Sequence, residues 1–148
     1  MMITGDNFEL PGEIKKMVNN IGKADMILIY NIETRGVARR PLSRVYNFII
    51  NLITLNNIKY YNNCNIHLLE NAKLYSRKGS GFGFQAELIT EQIRQKKTYI
   101  EIEVATTLRS SGTSKALRSN NVLSVIGSII SIFFNQIIHV VKKILKIK

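Results

Sequence analysis

The strongest constraint on the fold lies near the carboxyl end of the chain. From Asn120 to Val141 there is no formal charge, and Lys142, Lys143, Lys146 and Lys148 follow. About 20 uncharged, mostly apolar residues are enough to span a bilayer as a helix. Ser124, Ser128, Ser131, Asn135, Gln136 and His139 interrupt the run, and several recur at intervals of three or four, so they share a flank. That pattern also suits an amphipathic helix lying in an interface. A helix buried in a domain core is the third reading. In either membrane arrangement the terminal lysines would face anionic cytoplasmic headgroups.

The rest of the charge is just as uneven. Twenty-one Lys and Arg against ten Asp and Glu leave a net charge of +11, and no acidic residue follows Glu103. A chain of 148 residues is long enough for one domain with its own core. So large an excess on so small a domain implies an anionic partner: nucleic acid, a lipid surface or a phosphorylated small molecule. Tyr and Phe fall mainly in apolar runs and are not interleaved with the cations, which argues against nucleic acid. The single cysteine, Cys64, excludes an intramolecular disulfide and points to a reducing compartment. MMITGDNFELPGE is not a signal peptide, because Asp6 and Glu9 interrupt it before any apolar stretch.

Periodicity divides the chain into alternating elements. MMIT reads as a short buried strand ended by Gly5, and PGEIKKMVNNIGK as a helix. Pro11 suits that helix start, Ile14, Met17, Val18 and Ile21 form one face, and Gly22 is placed to stop it. ADMILIY has the length and composition of a buried strand, of the kind found in parallel sheets. A basic loop, NIETRGVARR, leads to the helix PLSRVYNFIINLIT, opened by Pro41. NIKYYNNCNIHLL has strand character broken by Asn pairs, and RKGSGFGF is a glycine-rich turn. QAELITEQIRQKK reads as a helix with Leu88, Ile89 and Ile93 inward. TYIEIEVAT alternates Tyr99, Glu101 and Glu103 with Ile100, Ile102 and Val104, as a strand with one wet face or an edge strand does. Helices alternating with strands predict an α/β layered fold. A first strand at residue 1 with no helix before it is unusual for a doubly wound sheet, so the chain is expected to be the carboxyl-terminal part of a larger domain.

Four stretches carry residues suited to chemistry. Asp6, just after a buried strand, and Glu9 offer oxygen ligands for Mg²⁺ or Mn²⁺, although Asp-Asn is also a common turn pair. ETRGVARRPLSR supplies Arg35, Arg39, Arg40, Ser43 and Arg44 ahead of a helix start, either a phosphate site or a solvated basic loop. GFGFQAELITE sets Gln85 and Glu87 near a helix N-terminus, where they could also be plain capping and surface residues. LRSSGTSKALRSNN, residues 108–121, puts Arg109, Lys115 and Arg118 among small hydroxyl and amide side chains. His67 and His139 have no partners at metal-ligand spacing, and Cys64 reads as a packing residue. GSGFGFQ lacks the Lys-Ser/Thr of a P-loop.

In order along the chain, GDN and PGEI, GKADMILIY, RRPLSRVYNFIINLITLNNIKYYNNCNIH, GFGFQAELITEQIRQKKTYIEIEV and RSSGTSKALRSNNVLSV resemble the carboxyl-terminal half of a family 2 glycosyltransferase of the polyprenol-phosphate type, similar to dolichyl-phosphate mannose synthases. The resemblance implies a partial GT-A (Rossmann-like) domain over residues 1–119, without the first nucleotide-binding strands, and a membrane-associating helix over 120–148. It also implies a nucleotide-diphosphate sugar donor, a polyprenyl-phosphate acceptor, a divalent Mg²⁺ or Mn²⁺, and inversion at the anomeric carbon. Asp6 matches the last acid of the family's Asp-x-Asp motif, and Thr4 stands where that motif has its first. Arg39 and Ser43, with Arg40 beside them, match the grip on the acceptor phosphate. Gln85 and Glu87 match the helix start beneath the active site. Arg109, Gly112, Ser114 and Lys115 match the loop that closes over the phosphates, so Asp6, Arg109 and Lys115 are the expected catalytic residues and Asp6 with Glu9 the expected metal ligands. A catalytically silent, membrane-associated relative of such an enzyme is the alternative, and a basic nucleic-acid-binding module is the more distant one.

Overall fold

In the computed structural model, residues 10–31, 39–76, 81, 83–105 and 119–145 are described. Their elements run α1 (Pro11–Val18), β1 (Met26–Tyr30), α2 (Arg39–Thr54), β2 (Ile66–His67), α3 (Leu69–Ser76), α4 (Phe84–Arg94), β3 (Tyr99–Glu103) and α5 (Ser119–Ile144). The expected strand at MMIT lies outside the described residues.

The apolar run of β1 makes it the middle strand of a three-stranded mixed sheet of order β2-β1-β3. Successive side chains of a strand point to opposite faces. Met26 and Leu28 accordingly enter a core with Tyr46, Ile50, Ala86, Ile89 and Ile132, drawn from α2, α4 and α5. Ile27 and Ile29 enter a smaller core with Met17 of α1, Cys64, Ile66 and Val104. Burial on both faces is why this strand is continuously apolar instead of alternating.

β3 runs parallel to β1, with Met26 opposite Tyr99 and Tyr30 opposite Glu103. Ile100 and Ile102 then pack on the smaller core, while Glu101 accepts the Lys59 backbone N–H at 2.7 Å. Among the described strands β3 lies at the edge of the sheet, which was one of the two readings of its alternating pattern. Its start is tied to that of β1 by Asp25, whose Oδ2 accepts the Thr98 N–H and hydroxyl, each at 2.8 Å, while the Asp25 N–H donates back to Thr98 Oγ1 at 3.1 Å. The Thr98 N–H and hydroxyl favour the carboxylate and hold the Asp25 carboxyl below its usual range.

Three elements differ from their sequence patterns. The first helix stops at Val18, four residues before Gly22, which takes a φ of 90° in the following turn. The Asn20 side chain takes the Lys16 carbonyl at 2.7 Å and competes with continuation of the helix. Only Met17 of the expected apolar face is fully buried, and Val18 and Ile21 stay 46% and 55% exposed, because the core they face is small.

The segment after α2 pairs as a strand only at Ile66–His67. Its backbone is held by asparagines of α2. Asn51 donates to the Ile58 carbonyl at 2.9 Å, accepts the Ile58 N–H at 3.1 Å and also accepts the Tyr61 hydroxyl at 2.7 Å. Asn47 donates to the Lys59 carbonyl at 2.5 Å. A carboxamide offers the same donor and acceptor as a peptide unit, so these side chains do the work of a neighbouring strand. Finally, α3 was not legible in LENAKLYS, whose apolar residues lack the spacing of a core-facing helix.

α5 is long and apolar enough to cross a membrane, with a mean hydropathy of 1.8 over an 18-residue stretch within Asn121–Ile144. It packs on α2 and α4. Ser128 and Ile132 are buried in that contact, and Val125 and Ile129 pack against the larger core.

Candidate functional site

In open α/β sheets, ligands bind beyond the carboxyl ends of the strands. Here that edge is formed by Tyr30 at the end of β1, Asn31 after it, Val104 after β3, and the N-terminus of α4. The link between them is Asn65, which is completely buried. Its Oδ1 accepts the Ile29 N–H at 2.9 Å, and its Nδ2 donates to the Tyr61 carbonyl at 3.0 Å and to Gln85 Oε1 at 3.4 Å. One side chain thus joins the end of β1, the asparagine-rich segment and the first turn of α4.

The polar chain continues. Gln92 lies close to His67, its Nε2 3.0 Å from the His67 Nδ1, and donates to the Leu88 carbonyl. Burial holds the His67 imidazole below its usual range, against the opposing pull of the Gln85 and Gln92 amides. A depressed histidine pKa means that the unfolded chain takes up a proton more readily than the folded one. Stability from this group is therefore complete above the ordinary histidine range near pH 6.5, and falls as pH drops below it. His67→Gln is expected to flatten the acid limb of a plot of urea midpoint against pH between pH 7 and 5. An unchanged slope would show that His67 does not titrate with folding.

A cation also stands at this edge. Lys59 Nζ donates to the Tyr30 hydroxyl at 3.0 Å and lies 4.1 Å from its ring centroid. The Tyr30 contact raises the Lys59 pKa. Nothing in the sequence singled Lys59 out, because it sits in an asparagine-broken stretch with no recognisable period.

The expected site residues are distributed as follows. Arg39 and Arg40 form the first turn of α2, with side chains outside the described part of the structure. Ser43 is half-buried on the inner face of α2, in line with Tyr46, Asn47 and Ile50. Gln85 faces Asn65 at the strand edge. Glu87 lies about 200° further round α4 and accepts the Ser131 hydroxyl of α5 at 3.3 Å. Gln85 and Glu87 therefore serve different neighbours. Asp6, Glu9, Arg109, Gly112, Ser114 and Lys115 lie outside the described residues, as do Arg35 and Arg118. Among the described residues no three or more His, Cys, Asp or Glu side chains come together as metal ligands would. A cleft of about 460 Å³ lies apart from the strand edge, between α4 and α5, with Glu87, Glu91, Arg94, Asn135, His139 and Lys142 on its walls.

The glycine-rich turn meets α5 directly. A methyl group at Gly83 would overlap Ser128 Oγ and Cβ, and one at Gly81 would overlap Ser124 Oγ. Gly81 also has a φ of 90°, which disfavours other residues. The two small residues at the start of α4 let the apolar helix approach within backbone distance. No family model, curated protein or solved structure matches this chain.

Proposed function

We propose that this chain transfers a sugar, with inversion, from a nucleotide-diphosphate sugar to a polyprenyl phosphate at the cytoplasmic face of a membrane, as the catalytic part of a family 2 glycosyltransferase with a GT-A-type fold. The observation that supports this best is a coincidence of two features on α4. Its N-terminus meets the carboxyl end of the parallel pair β1–β3 through Gln85 and Asn65. The same turn is packed against the long apolar helix α5 through Gly83 and Ser128. A lipid acceptor requires a ligand edge next to a membrane-compatible surface, and this arrangement has both.

The chemistry needs no strong base on this reading. A phosphate monoester acceptor is already an anion near neutral pH, so the task is to hold two mutually repelling anions in line and to stabilise the departing diphosphate. Arg39 and Arg40, with Ser43, would grip the acceptor phosphate at the start of α2, where free N–H groups add a positive dipole end. Gln85 would sit beneath the sugar. Arg109 and Lys115 would bring charge over the donor phosphates, with Gly112 for the bend and Ser114 as a donor. Asp6 and Glu9 have the hard oxygen ligands that Mg²⁺ or Mn²⁺ prefers, and the ion would neutralise charge on the diphosphate.

Sugar transfer into an organic-extractable lipid decides the matter. The chain, alone and joined to the amino-terminal half of a full-length family 2 enzyme, is incubated with labelled nucleotide-diphosphate sugars and polyprenyl phosphate. Labelled lipid is expected from the joined form. Arg109→Ala or Lys115→Ala should lower the rate about 100-fold or more, as loss of a charge-stabilising donor does. No labelled lipid from any donor would sink the reading.

A further inference from the structure

The outward faces of two adjacent helices are both apolar. On α2, Leu42, Val45, Phe48 and Leu52 are exposed, Phe48 to 66% and Leu52 to 62%. On α5, Leu123, Ile130, Phe134, Ile137 and Val141 are exposed, Phe134 to 58%. At 100° per residue Val45, Phe48 and Leu52 lie opposite the buried Ile50 of α2, with Leu42 on the flank about 80° from it, and the α5 set lies opposite the buried Ile132. The helices pack on each other, with Tyr46 beside Ser128. The polar flank of α2, Asn47 and Asn51, is turned to residues 58–61. The polar flank of α5, Ser131 with Asn135, is turned to α4 and Glu87. Both polar flanks therefore face away from the α2–α5 seam, and the two apolar stripes adjoin across it.

Charge decides what covers this surface. None of the ten acidic residues lies in α2 or α5, while Arg39, Arg40 and Arg44 open α2 and Lys142 and Lys143 close α5. A large exposed apolar patch marks a protein or membrane contact. A second copy of the chain would set these cations against each other with no carboxylate on either helix to answer them. An anionic bilayer supplies apolar chains for the stripes and phosphates for both cationic ends. The inner face of α5 is already occupied by α2 and α4 through Ser128 and Ile132, so α5 cannot be surrounded by lipid while it remains packed.

We infer that α2 and α5 together form a two-helix platform that lies in the plane of an anionic bilayer, with α5 resting on the membrane and not crossing it. This rests on the membrane part of the proposed function and not on glycosyl transfer. The helix α2, for which the sequence pattern suggested no membrane contact, supplies half of the footprint. The platform also turns the basic start of α2 toward the headgroup layer.

Vesicle flotation tests it, with the full chain and vesicles of phosphatidylcholine alone or mixed with phosphatidylglycerol. The wild-type chain is expected to float with the mixed vesicles and to be released by salt. Phe48→Asp/Leu52→Asp, at exposed positions where circular dichroism should show an unchanged fold, is expected to weaken binding at least about tenfold. Full flotation of that variant would remove α2 from the footprint and overturn the platform, while leaving an α5 anchor and the glycosyl reading intact. Trypsin added outside sealed vesicles should cut at Lys142 and Lys143; protection of these sites would mean that α5 crosses, and would overturn the in-plane arrangement. A soluble dimer that ignores vesicles and is dissociated by Phe48→Asp/Leu52→Asp would assign the face to a second copy and equally overturn it. Loss of sugar transfer with flotation intact would count against the proposed reaction alone.

Discussion

Gly83→Ala is expected to lower the melting temperature by about 2–12 °C. The added methyl collides with Ser128 on α5, and forced overpacking costs about 1–3 kcal/mol. For a chain of this size, each kcal/mol shifts the midpoint by roughly 2–4 °C. Backbone strain contributes nothing, because Gly83 has a φ of −91°, which alanine adopts freely. The cost is therefore steric, and it should be recoverable from the other side of the contact. Ser128→Gly combined with Gly83→Ala is expected to regain most of the loss, a non-additivity proper to residues in contact. Thermal unfolding followed by circular dichroism reads both. If Gly83→Ala melts with the wild type, α5 does not sit against the glycine turn.

Asn65→Leu is expected to be worse. The substitution keeps the volume and removes a buried acceptor and donor at once. The Ile29 N–H and the Tyr61 carbonyl lose their partners in a place that water does not reach. A buried polar group left unsatisfied costs about 1–3 kcal/mol, so two of them approach the whole stability of many domains of this size. Urea denaturation should show a midpoint well below that of the wild type, or no cooperative transition. Asn65→Asp separates the two roles. It keeps an acceptor for Ile29, lacks the donor for Tyr61, and should recover part of the loss at acid pH, where a protonated carboxyl can donate. A wild-type midpoint for Asn65→Leu would mean that β1 finds its hydrogen bond elsewhere.

Both predictions fall on residues that sequence reading passed over or valued for another reason. The asparagine pairs at 56–57 and 62–63 were legible as breaks in a strand pattern, and β2 is indeed only two residues long. What replaces the strand was not legible. Asn47, Asn51 and Asn65 reach their partners from a helix and a loop, and a single sequence does not show which backbone an amide will meet. Gly83 was read as part of a flexible turn, yet its role is to admit another helix. The helix α4 was the easiest element to foresee, since Leu88, Ile89 and Ile93 were expected inward, and Leu88 and Ile89 are buried while Ile93 packs against the larger core. Gln85 and Glu87 both lie at the start of α4, as their place in the sequence suggested, but Gln85 meets Asn65 whereas Glu87, two positions on, meets Ser131 of α5. Helical geometry alone forbids the two from sharing a partner.

The amino-acid sequence by itself determined the mixed α/β character, the buried strand β1, the strand β3, and the uncharged run that becomes α5. These are local properties: they follow from the period and continuity of apolar residues within one element, and from the excess of cations over acids. Only the tertiary structure decided which side of α5 faces protein. Ser128 and Ile132 turn inward because Gly83 and the larger core leave room for them, and that forces Phe134 and its neighbours outward. The same holds for α2, whose apolar residues are too many for one core face, so that Phe48 and Leu52 remain outside beside those of α5. Hydropathy counts apolar residues along the chain, but where they go depends on space left by residues far away in sequence, and packing is what sets it.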